Sequence, residues 1–177
     1  KLEKANLGPA LQRLKAQVNY NYIDHVMDNY SLRTDPAGAC MGTPLMGPGC
    51  FMVNNPDRET RSARVSGDLA LTASTLLTVG ADWQTNEHTL RKLTSTTASG
   101  ADAYAASARI RDMETGIKGL FGELRHELSP QHRLIAGLRI DDWSADRFSY
   151  PSGGLVAGAD ETLKSGFLRF ERDLVGQ

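Results

Sequence analysis

Residues 16–33 read A-Q-V-N-Y-N-Y-I-D-H-V-M-D-N-Y-S-L-R. Ala16, Val18, Tyr20, Tyr22 and Val26 fall on even positions; Gln17, Asn19, Asn21, His25 and Met27 fall on odd ones. Side chains of a strand alternate between its faces, so this pattern predicts a long strand with one apolar and one polar face. His25 and Met27 are two apart and share the polar face. Imidazole and thioether side by side on a wet face make a copper-like pair. Two ligands are an incomplete site, so further soft ligands must come from elsewhere.

Outward from this stretch, residues 28–57 carry four of the seven prolines and no sustained period. They are expected to form a loop, and one this long usually marks function. Four of the five methionines (Met27, Met41, Met46, Met52) and both cysteines (Cys40, Cys50) lie between positions 27 and 52. A loop has no core to fill, so this clustering favours a soft-metal role. The alternative is a loop closed by a Cys40–Cys50 disulfide in an oxidising compartment.

Alternation returns after the loop. The opening strand spans residues 11–28, with residues 1–4 as the tail of an earlier strand before a Gly8-Pro9 turn. Further strands are expected at 58–72, 76–88, 115–128, 132–142 and 162–173. Ala73-Ser74-Thr75 and Ser129-Pro130-Gln131 are short turns. Residues 86–112 and 143–161 read as a second and a third long loop, with a short helix allowed at 103–110. Trp83 and Trp143 stand near strand ends, where an aromatic belt meets a membrane interface. Phe121 breaks the pattern, because it shares parity with Glu123 and Arg125. Long loops alternating with short turns, and strands far longer than the soluble mode of about 5–6 residues, predict part of an antiparallel transmembrane β-barrel. Six strands do not close a barrel, so a curved open sheet is expected.

The totals agree. The formal charge of -1 over 177 residues offers nothing to nucleic acid. No run of 18 apolar residues makes a spanning helix, which says nothing of spanning strands. The chain opens K-L-E-K without an initiator Met or signal peptide, as an internal piece of a longer chain would. Glu87 and His88 are adjacent and face opposite ways, so they are no chelate; Asp141 and Asp142 are no catalytic pair for the same reason. His126 and His132 flank the second short turn as solvated polar residues. No nucleophile–base, phosphate-loop or dinucleotide motif occurs, so an enzyme is not expected.

Several words of the sequence carry a resemblance. They are K-L-E-K-A-N-L-G-P at 1–9, the H-V-M stretch, N-E-H at 86–88, F-G-E-L at 121–124, R-L-I-A-G-L-R-I-D at 133–141 and S-G-F-L-R-F-E-R-D-L at 165–174. In these the chain resembles the TonB-dependent copper receptors of the Gram-negative outer membrane. The resemblance implies an all-β fold: about six long strands of a 22-stranded barrel, with residues 1–177 a segment of barrel and no plug domain present. It implies copper as the transported ligand, held by an H-x-M pair on the barrel wall, here His25 and Met27, and a C-x-x-x-M pair on the plug. Cys40-Met41 and Cys50-Phe51-Met52 lack that second spacing. The implied partners are the remaining strands and plug of the parent chain, TonB through an absent N-terminal region, and the lipid bilayer. The alternatives are a TonB-dependent receptor for a siderophore or other metal chelate, and a non-transporting outer-membrane barrel, an adhesin or porin.

Overall fold

The computed structural model describes residues 1–32 and 51–173. Its strands are β1 (Leu2–Ala5), β2 (Leu11–Asp24), β3 (Met27–Asp28), β4 (Phe51–Thr72), β5 (Thr75–Ser95), β6 (Ile110–Ser129), β7 (His132–Phe148) and β8 (Leu155–Arg172). All pairings are antiparallel, in the order β1-β2-β4-β5-β6-β7-β8, with β3 continuing beside β4. The sheet is open, with β1 and β8 at its edges. Six of the eight strands are long, as the alternation predicts. Asn6, at φ 57°, turns the chain between β1 and β2.

Cross-strand partners share a face, so the register sorts the side chains into rows. On one face, Leu11, Leu69, Leu77, Leu124, Ala136 and Leu168 form a row across the sheet. Three rows higher stand Val18, Ala63, Trp83, Lys118, Asp142 and Thr162. Between them the face is aliphatic and unusually open: Val18 and Leu138 are each 76% exposed and Leu168 72%. Bounded by these two rows, the band covers about seven residues of each strand, a little under the roughly 9–11 that cross a bilayer at a tilt. The opposite face carries Arg13, Lys15, Arg64, Asp68, Phe121 and Arg125, which line a cavity of about 530 Å³. This is the inner face. Only Val53, Ala101 and Ile135 are buried hydrophobics among the described residues, so water on both sides would leave the fold almost no core. Lipid against the outer face supplies the missing burial.

Phe121 belongs to the inner face. Its ring lies under the guanidinium of Arg64, 4.3 Å from its centroid, and Arg139 stands 6.0 Å off. Gly80 makes room for it, since a Cβ there would fall 2.3 Å from the ring. Arg139 meets Asp82 with two bonds of 2.7 and 2.8 Å and Asp141 through Nε at 2.8 Å. Gly119 leaves the passage open, because a Cβ would sit 2.2 Å from the Arg139 guanidinium. These ties join β5, β6 and β7 across the inner face.

The strands are longer than the sequence predicts. Residues 51–57, expected in the first loop, belong to β4; residues 89–95 belong to β5. The third loop shrinks to residues 149–154, because β7 runs to Phe148 and β8 starts at Leu155. Its turn closes with Gly153 N–H donating to the Ser149 carbonyl at 2.7 Å. At about 3.3 Å per residue the 22 residues of β4 span about 70 Å, against an apolar band about 25 Å tall. Above that band both faces meet water, so alternation ends although the ladder continues. Trp143 consequently lies inside β7, opposite Ile117 and Glu161, on the inner parity of Arg139 and Asp141 and not in an outer belt. The helix sits earlier than predicted: α1 spans Ala98–Ala101 and passes into a 3-10 turn at Asp102–Ala106. The Thr97 hydroxyl caps α1 by accepting from Gly100 N–H at 3.1 Å.

Candidate metal site

His25 and Met27 flank the join between β2 and β3. Asp24 pairs with Asp57 and Met27 with Asn54, so the register runs through the gap unshifted. The His25 N–H donates to the Pro56 carbonyl at 3.2 Å. The return bond cannot form, because proline has no N–H. Asn55 replaces it: its side-chain amide donates to the His25 carbonyl at 2.8 Å and to the Asp24 carboxylate. Asn55 has no exposed surface. Its side-chain oxygen accepts from Arg91 Nε and Arg109 Nη2, each at 2.7 Å. Arg109 also meets Asp57 at 3.0 Å, and Tyr22 donates to Asp57 at 2.9 Å. The backbone under His25 is thus fixed from behind by a filled polar network. His25 and Met27 keep the inner parity of Gln17, Asn19 and Asn21 and are both exposed, Met27 by 49%.

The chain above the pair is tied down too. The Asp28 carboxylate accepts from Tyr30 N–H at 2.9 Å and Ser31 N–H at 2.6 Å, which holds it below the usual carboxylate range. Asn29 exchanges bonds with the Met52 backbone, accepting at 2.9 Å and donating at 3.3 Å. Tyr30 packs edge-on against Phe51 at 5.5 Å. Its hydroxyl donates to Asp102 at 2.6 Å, which raises its pKa from 10 to about 12. Met52, read from sequence as a loop residue, is part of β4. Cys40, Met41, Met46, Cys50 and the chain end after Asp173 lie outside the described residues.

The other histidines divide into two kinds. His126 Nδ1 bonds the Thr75 hydroxyl and His132 Nδ1 the Ser129 hydroxyl, each at 2.9 Å, beside the short turns. His88 is different. It faces inward with Arg58, whereas Glu87 faces outward with Glu59 and Glu114, so the two make no chelate. Its Nδ1 pairs with the Asp112 carboxylate. Sequence reasoning missed this contact and the whole Asn55 network. The only signal in the sequence is Pro56, and it does not name its partner. Among the described residues no three of His, Cys, Asp and Glu converge as a metal cage.

A polar inner wall, an apolar outer band and strands rising past it are the features of a barrel wall. Residues 3–168 match the family described as TonB dependent receptor-like, beta-barrel. The chain belongs to that family. A solved structure described as "Copper transporter OprC" superposes on this receptor barrel with a TM-score of 0.76 and 31% sequence identity. The match covers 98% of this chain and 26% of the transporter, so the receptor barrel chain spans about a quarter of that protein's length. No curated protein sequence matches it.

Proposed function

We propose that this chain is a section of the wall of an outer-membrane copper importer driven through TonB, with His25 and Met27 as the wall's copper ligands. The observation that carries the reading is the 31% identity to a copper transporter over 98% of the chain. The exposed, inward parity of His25 and Met27 supports it. Thioether has no proton to lose on binding, and it favours Cu(I). Residues 1–177 form barrel only; a plug domain and further strands of the parent chain complete the wall and the ligand set. Import then requires the plug-side ligands to part from the wall, which releases the ion inward.

The test is copper binding to the full receptor with His25 and Met27 changed to Ala. Loss of even an outer partner of a ligand lowers metal affinity about 10–100-fold, so loss of a ligand is expected to cost at least tenfold. Wild-type stoichiometry and affinity in the double variant remove the assignment.

A further inference from the structure

We propose that His88 and Met113 form a second soft-metal site on the inner face, a Cu(I) transit site below His25 and Met27; its choice of metal rests on the copper reading above. His88 and Met113 are direct partners across the β5–β6 ladder. Partners of this kind stand about 4.5–5.5 Å apart at Cβ, so one ion fits between their side chains. His88 pairs with Met113 and Thr89 with Arg111, which leaves Asp112 as an extra residue. Such a bulge re-aims a side chain, and here Asp112 reaches the Nδ1 of His88. A carboxylate on Nδ1 fixes the tautomer with its proton there and turns the lone pair of Nε2 outward. Metal-binding histidines are oriented in this way.

The donor set selects the ion. One imidazole and one thioether, with no third His, Cys, Asp or Glu among the described residues, leave zinc and hard cations without a cage. Cu(I) accepts few, soft ligands. The site is open to the lumen: the His88 side chain is 27% exposed and Met113 46%. Arg58 and Arg147 stand in the same row on either side and oppose a cation, while Asp112 favours it. The balance keeps binding weak, as an ion in passage requires. Ile23 and Arg58 begin the row that holds His88, so the site lies one inner row below His25 and two strands across, about 12 Å away.

The experiment is an anaerobic titration of the full receptor with Cu(I) against a competing chelator, using Met113→Leu, His88→Phe, Asp112→Asn and the His25/Met27 double Ala variant. Met113→Leu conserves volume, so its effect is not one of folding. It is expected to remove one Cu(I) equivalent, as is His88→Phe, and Asp112→Asn to weaken that equivalent about 10–100-fold. The double Ala variant keeps it. Wild-type count and affinity in both Met113→Leu and His88→Phe overturn the proposal. A double Ala variant that binds like wild type overturns the wall-ligand assignment instead and leaves the His88 site standing.

Discussion

Pro56 costs the sheet one backbone bond, and Asn55 makes it good with a side chain. The amide is buried with all its partners supplied, so it holds the His25 carbonyl without an unsatisfied donor. The facing of His25 and Met27 was legible in the sequence, because alternation of period 2 survives an unshifted register. Asn55 was not legible, because Arg91 and Arg109 stand 36 and 54 residues away in sequence. Tyr30 gives a prediction at this scale. Its bond to Asp102 exists only while the phenol keeps its proton. The folded pKa is raised, so the stabilisation is whole below pH 10 and is lost as pH rises through about 12. The ultraviolet titration of wild type minus Tyr30→Phe should therefore show a phenol ionising near pH 12. A difference curve centred at pH 10 removes the Tyr30–Asp102 contact.

Each long strand has a lower half that meets lipid and an upper half that does not. The lower halves were read correctly, since an apolar side against a wet side is what makes alternation visible. The upper halves were read as loops. In β4 the run N-N-P-D is polar on both sides, and in β7 Asp142, Ser144 and Asp146 continue the outer parity of Leu138 and Ile140 with no apolar residue. The boundary has a mutational signature. Arginine at the midplane of a barrel's outer face costs about 2–4 kcal/mol and near the interface about 0–1 kcal/mol. Leu138→Arg is expected to show the first cost and Asp146→Arg the second, measured by urea unfolding of the receptor in lipid. Equal costs would move the apolar band away from the rows around Leu138.

At the scale of the molecule, three buried hydrophobic residues among the described ones do not hold a sheet of this size together in water. Neighbouring strands and lipid must do so. Residues 1–177 alone, refolded in detergent, are expected to stay sensitive to protease and to unfold at low urea, whereas the full receptor resists both. A resistant isolated segment would contradict the proposed dependence on further strands. The free edge of β8 adds a condition on whatever lies beside it. It offers backbone donors and acceptors along Leu155–Arg172, and within the apolar band, from Thr162 to Leu168, hydrocarbon leaves the unpaired ones no water partner. A strand that docks there two residues out of step still turns its oily side to the membrane; one residue out of step inverts it. The edge therefore acts as a stencil: it tolerates errors of even length and rejects odd ones, before any closed cylinder exists.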